Sequence, residues 1–188
     1  MRFVLLMVFP ALFAFQVQAA EISVEGGFRQ QSGSTSISNE SVKSQTGYQL
    51  GATALFPLKD SWLLRTGLFY VQRPVSLQDD VSSGEAKLSM SYFEVPVAIA
   101  YHIEGYAHLF LGTALSTRLN SNSSTSGTLT GYKLTQEKDM VTPLLVGASF
   151  KFASDVGATL FFETISGDVA KDISGYRAVG LNIFFTID

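Results

Sequence analysis

Apolar and polar side chains alternate with period two through most of the chain beyond residue 20. Such alternation marks β-strands whose two faces meet different surroundings. It is clearest near the C-terminus, where Val179, Leu181, Ile183, Phe185 and Ile187 share one face. Ala178, Gly180, Asn182, Phe184 and Thr186 share the other. Phe93, Val95, Val97, Ile99 and Tyr101 alternate in the same way with Glu94, Pro96, Ala98, Ala100 and His102. The pattern predicts strands near 21–30, 47–57, 62–73, 88–103, 106–119, 140–153, 156–166 and 176–188. Segments 57–61, 104–105 and 153–155 read as tight turns. Segments 31–46, 74–87, 120–139 and 167–175 read as long polar loops. Long and short connections alternate, so the long loops gather at one end and the tight turns at the other. That layout predicts an all-β fold, an eight-stranded antiparallel up-and-down transmembrane β-barrel.

Residues 1–19 read differently. Met1 and Arg2 precede the apolar run Phe3 to Phe15, and small residues follow at Ala19 and Ala20. This is the organisation of a cleaved signal peptide. Thirteen apolar residues fall short of the ~20 that a membrane-spanning helix needs. Cleavage is expected after Ala19 or Ala20, leaving 20–188 as one barrel domain. No later stretch is long and apolar enough for a spanning helix.

Two kinds of eight-stranded barrel fit such a pattern, and their faces distinguish them. A soluble barrel turns charge outward, whereas a membrane barrel turns apolar residues to lipid and fills its interior with polar groups. Only 15% of the residues are charged, and the less apolar face carries mainly Gly, Ala, Ser and Thr. By strand parity that face holds Glu25, Arg29, Arg65, Glu94, Lys151 and Glu163. Three cations facing three anions predict a neutral ionic filling of the lumen. Buried charges need partners, and Arg65 and Glu94, on adjacent strands, are expected to pair. Phe69, Phe110, Phe161 and Phe184 share the lumen parity and would help to close it. Aromatic residues cluster where strands would cross the membrane interfaces: Trp62, Phe56, Tyr101, Tyr106, Phe152 and Phe185 toward the tight turns, Tyr48 and Tyr70 toward the loops. Rings with one polar edge favour that boundary.

The segment Tyr92-Phe93-Glu94-Val95-Pro96-Val97 resembles the Tyr-Leu-Glu-Ile-Pro-Leu segment of PorT-like outer-membrane β-barrel proteins. Leu111-Gly112-Thr113-Ala114 and Leu145-Val146-Gly147-Ala148 are similar to that family's fifth and sixth strands. The resemblance spans most of the mature chain. It implies a bacterial outer-membrane location and an architecture shared with OmpX and the OmpA barrel, and it implies no particular activity. The chain departs from the usual assembly signal by ending Phe184-Phe185-Thr186-Ile187-Asp188, so recognition by the insertion machinery would lean on Phe185.

Charge and composition then narrow the function. Thirteen Lys and Arg against sixteen Asp and Glu give a net charge of −3, which offers no cationic excess for nucleic acid. The chain has no cysteine and two histidines, so thiolate sites are excluded and a histidine-rich metal site is not expected. No phosphate-binding glycine loop, Gly-x-Ser-x-Gly elbow or zinc pattern occurs. No cofactor and no catalytic residue is expected. His102 and His108 flank the turn at Glu104-Gly105, which lies in the periplasm if the N-terminus does. Lipid-modifying barrel enzymes of the outer leaflet need their base at the opposite end. A solute channel would need a wider barrel, because eight strands enclose an interior that side chains just fill. The sequence therefore points to a non-enzymatic, monomeric scaffold. Its expected partners are outer-membrane lipids, lipopolysaccharide, the barrel-assembly machinery and an extracellular ligand held by four loops rich in Ser, Thr and Asn.

Overall fold

The computed structural model describes residues 21–35, 40–79, 84–103, 107–127, 138–170 and 173–187. The expected signal peptide, the expected turn at Glu104-Gly105 and Tyr106 lie outside the described residues. Ten β-segments make up the fold: β1 (Glu21–Thr35), β2 (Glu40–Lys43), β3 (Gln45–Lys59), β4 (Trp62–Asp79), β5 (Glu85–Ile103), β6 (Ala107–Ser126), β7 (Met140–Val141), β8 (Leu144–Lys151), β9 (Val156–Thr164) and β10 (Ile173–Ile187). Each of β3, β4, β5, β6, β8 and β9 pairs antiparallel with the next long segment in the chain, or through β10 with β1. Pairing of β1 with both β3 and β10 closes the ring. The result is a closed antiparallel barrel of eight staves, in which β2 and β7 are short continuations beside β4 and β6. Closure leaves no free edge in the body of the barrel, as a β-structure in lipid requires.

Period two sets which side chains point outward. Phe28, Leu50, Leu68, Val97, Leu111, Leu160 and Leu181 stand exposed on the outside, Phe28 at 70% of its free surface. Glu25, Arg29, Gln49, Thr53, Glu94, Ser116, Ser149, Thr159, Glu163 and Asn182 are buried inside. This is the inverse of a soluble core. The inward phenylalanines Phe69, Phe110, Phe161 and Phe184 are all buried, and each has a glycine as its direct cross-strand partner: Gly51, Gly147, Gly180 and Gly157 respectively. A Cβ on Gly180 would lie 2.1 Å from Phe161 Cζ, and one on Gly157 2.2 Å from Phe184 Cζ. The rings occupy the space the glycines leave open, an arrangement that also shields glycine backbone within a strand.

The staves are longer than the alternation alone suggested. Much of segments 31–46, 74–87 and 120–139, expected as polar loops, is strand: β1 runs to Thr35, β4 to Asp79, β5 starts at Glu85 and β6 runs to Ser126. These extensions rise past the ends of β8 and β9. Inside them lies an apolar cluster that includes Val75, Leu77, Ala86, Leu88, Met90, Tyr92, Val141, Ile173 and Tyr176. The β9–β10 connection folds in over it, contributing Ile165, Val169 and Ala170. Its backbone is tied down by bonds from Ile165 N–H to the Tyr176 carbonyl at 3.0 Å, Val169 N–H to Ile173 at 3.0 Å and Lys138 N–H to Val169 at 3.1 Å. The barrel therefore has two stacked parts, a belt with a polar interior and a crown with an apolar one.

Candidate functional site

The belt interior is built in two ionic layers. In the lower one, nearer the tight turns, Arg65 pairs with Glu25 at 2.6 Å. Thr53 donates to the same carboxylate at 2.8 Å and Thr159 at 3.2 Å, while Arg65 also donates to Ser149 at 3.2 Å. The Arg65 guanidinium lies 4.6 Å from the centroid of the Phe110 ring, so its face is covered as well as its edges. In the upper layer Arg29 forms an ion pair with Glu163 at 2.6 Å, and Glu163 accepts from Arg73 at 2.9 Å. Arg73 reaches on to Glu94 at 2.5 Å. Gln49 accepts from Arg29 at 3.0 Å, and Ser116 donates to Glu94 at 2.5 Å. Arg29, Arg73 and Glu163 are buried, and buried charges of this kind persist only when they are paired.

Arg65 and Glu94, expected to pair, do not. Three residues separate their cross-strand positions, since Arg65 faces Ala98 and Glu94 faces Phe69. Arg65 turns down to Glu25 and Glu94 turns up to Arg73. Lys151, expected among the lumen charges, sits at the barrel's end and pairs with Glu21 at 2.9 Å, both partly exposed. Arg73 takes its place in the central network. Arg73 is the last residue of the expected strand 62–73 and shares parity with Arg65 and Phe69, so the alternation itself points it inward although it was not among the expected lumen charges. Continuing the same parity through Phe69, Val71, Arg73, Val75 and Leu77 would have placed it inside.

Arg73 also joins the two parts of the barrel. Its guanidinium lies 4.9 Å from the Tyr92 ring and 5.9 Å from the Tyr176 ring, and both rings belong to the crown core. Tyr176 donates from its hydroxyl to Gln31, and Tyr92 to the Lys138 carbonyl at 3.2 Å. The ionic layers are thus capped by aromatic faces and then by hydrocarbon. Between them a cavity of about 30 Å³ is lined by residues including Gln49, Glu94, Phe161 and Asn182. That is the room of one or two water molecules. Among the described residues no group of three or more His, Cys, Asp or Glu is arranged to hold a metal.

The crown exterior is polar. Glu85 accepts from Ser76 at 2.7 Å and pairs with Lys87 at 3.2 Å. The Ser76 hydrogen bond, with Lys87 beside it, holds the Glu85 carboxyl below the ordinary range. On the far side Arg118 pairs with Asp139 at 2.5 Å, and its backbone N–H donates to the Asp139 carbonyl at 2.7 Å.

Residues 14–168 match the family described as outer membrane protein beta-barrel domain. The chain belongs to that family. Solved structures share its shape at low identity. Ail, the attachment invasion locus protein of Yersinia pestis, is 15% identical, with a TM-score of 0.51 over 90% of this chain and 100% of Ail. The Neisserial surface protein A aligns at 13% identity and a TM-score of 0.51, covering 90% of this chain and 100% of its own. OprG from Pseudomonas aeruginosa aligns at 12% identity and a TM-score of 0.52, covering 89% and 93%. No curated protein matches in sequence. The family match places the protein in the bacterial outer membrane, and the narrower PorT-like likeness rests on the Tyr92–Val97, Leu111–Ala114 and Leu145–Ala148 segments.

In an outer-membrane barrel the exposed aromatics acquire a context. Trp62 stacks edge-on against Tyr101 with centroids 5.1 Å apart, at the tight-turn end. Phe152 and Phe185 are exposed there too, and Phe56 is half-buried. Tyr48 and Tyr70, 6.0 Å apart, lie toward the crown, in a row with Phe28 opposite Tyr48 and Phe93 opposite Tyr70. The Tyr70 hydroxyl and Ser91 hydroxyl lie 2.7 Å apart, where the outer surface turns from apolar to polar.

Proposed function

We propose that this protein is a non-enzymatic, non-conducting, monomeric scaffold of the outer membrane, whose crown and loops present an extracellular binding surface. One observation carries the reading: among the described residues the interior is filled by paired charges in the belt and by hydrocarbon in the crown. A barrel filled in this way leaves its outer surfaces as the places a ligand can reach. Both described chain ends, Glu21 and Ile187, lie at the tight-turn end, which faces the periplasm in this reading. The crown then stands outside the cell, where Ser89, Ser91, Lys87, Arg118 and the Ser- and Asn-rich top of β6 offer adaptable hydrogen bonding. Lipopolysaccharide and lipid surround the belt, and the barrel-assembly machinery inserts it. The non-enzymatic reading is supported by the position of the two histidines, since His102 and His108 lie 3.3 Å apart at the tight-turn mouth, the end away from the outer leaflet in this reading.

The test combines three measurements on one set of variants. Replacing residues 128–136 by a short Gly-Ser linker should leave the heat-modifiable folded band in detergent gels intact, because surface loops add little closure entropy. The same replacement should abolish binding of whole cells to host or abiotic surfaces. Planar-bilayer recordings of the native protein should show no steady conductance, and lipid A acyl composition should be the same with and without the gene. A steady open pore overturns the scaffold in favour of a channel, and an altered lipid A overturns it in favour of an enzyme.

A further inference from the structure

We propose that His102 and His108 form a chelate for one borderline divalent transition-metal ion, Zn²⁺ or Cu²⁺, at the tight-turn mouth of the barrel. These are the chain's two histidines. The β5–β6 hairpin sets them directly opposite each other in register, and strand parity turns both toward the lumen. Their Nδ1 atoms are 3.3 Å apart, with ring centroids at 4.8 Å and planes 41° from parallel. Imidazole nitrogen binds such an ion at ~2.0–2.1 Å. Two nitrogens 3.3 Å apart then subtend roughly 107° at the ion, the angle of a tetrahedral site. The ion would sit between the two rings, bridging nitrogens that lie within hydrogen-bond distance of each other.

The surrounding charge permits a cation there. Lys151 is neutralised by Glu21 at 2.9 Å and Arg65 by Glu25 at 2.6 Å, so the imidazoles face no uncompensated positive charge. His108 lines a cavity of about 20 Å³, which leaves the remaining coordination positions to water. Imidazole pairs suit Zn²⁺ and Cu²⁺ over the hard cations Mg²⁺ and Ca²⁺, which seek oxygen. The ion would clip the β5 and β6 ends together. Its binding would be lost on acidification, because the ligands must be neutral.

The molecule carries its own reporter. Trp62 is the single tryptophan, it packs on Tyr101 beside His102, and the neighbouring Ser61 carbonyl accepts the His102 backbone N–H at 2.8 Å. Untagged protein folded in detergent micelles and stripped with chelator is titrated with CuCl₂ while Trp62 emission is followed. The expected result is saturable quenching at one Cu²⁺ per chain, competed by Zn²⁺ and not by Mg²⁺. His102→Asn and His108→Asn should each weaken binding at least tenfold, with the heat-modifiable band unchanged. Electron paramagnetic resonance of the native Cu²⁺ complex keeps the proposal falsifiable should either variant misfold, and should show coupling to two imidazole nitrogens. Unsaturable quenching, unchanged affinity in both folded variants, or coupling to fewer than two imidazoles overturns it.

Discussion

Along β5 the outward face runs Tyr101, Ile99, Val97 and Phe93 through the belt, then Ser91, Ser89 and Lys87 through the crown. The inward face runs Ala100, Ala98, Pro96 and Glu94, then Tyr92, Met90, Leu88 and Ala86. The backbone continues as one strand while the polarity of its faces reverses. Belt and crown use the same hydrogen-bonded ladder, and solvent decides which side chains it carries. In the belt the outside is hydrocarbon, so apolar side chains face out at no cost and the interior takes charge. Above it the outside is water, and burying apolar area inside is favourable at roughly 25 cal/mol per Å². The reversal therefore marks the membrane's edge. On β4 the belt spans Trp62 to Tyr70, nine residues, which matches the ~9–11 that a tilted strand needs to cross a bilayer.

The seam between the two parts is where the comparison breaks most easily. Arg73 binds Glu94 and Glu163 below and lies against Tyr92 and Tyr176 above. Arg73→Ala should cost about 3–5 kcal/mol, the penalty for leaving buried carboxylates unpaired, and should loosen belt and crown together. Urea unfolding of the barrel in bilayers measures it, with Asp155→Asn in an exposed turn as the near-neutral control. Leu88→Ala tests the crown alone. It should cost about 2–5 kcal/mol, and the loss should appear as protease sensitivity and faster amide exchange in 75–92 and 165–176 while belt amides stay protected. Equal exposure of belt amides would show that the two parts unfold as one.

Gly180→Ala probes belt packing. A Cβ there meets the Phe161 ring at 2.1 Å, and such overpacking should cost about 1–3 kcal/mol. Adding Phe161→Leu should recover part of the loss, a coupling that a double-mutant cycle reads directly. The smallest effect belongs to Glu85. Its folded pKa is lowered, chiefly by Ser76, so its contribution is present above the unfolded value of ~4.3 and is lost as pH falls through the folded one. Ser76→Ala should move the carboxyl titration, followed by NMR, upward toward the unperturbed value, with little change in stability at neutral pH because the group is near the surface.

Several features of this fold were legible from local pattern. The eight staves, the outward face, the alternation of tight and long connections, and five charges of the belt interior all follow from a period-two repeat. That repeat is a property of neighbours in sequence, since successive Cβ atoms point to opposite faces of any strand. The lengths of β4, β5 and β6 were harder to see. Ser, Gln, Asn and Thr at 72–91 and 120–126 give those segments a loop-like composition, although Val75 and Leu77, and then Ala86, Leu88, Met90 and Tyr92, alternate with polar residues.

What the tertiary structure alone decided is partnership. Parity puts Arg65 and Glu94 on one side of the wall, but barrel register determines that Arg65 meets Glu25, across β3 on β1, and that Glu94 meets Arg73. Register likewise sets Phe161 beside Gly180 and His102 beside His108, and the fold of the β9–β10 connection brings Val169 and Ile173 over Leu88. The physical reason is one of range. Which face a side chain occupies is settled by the geometry of its own strand, whereas what it touches inside a closed barrel depends on how far every neighbouring strand is shifted, and that shift is fixed only when the last stave pairs with the first.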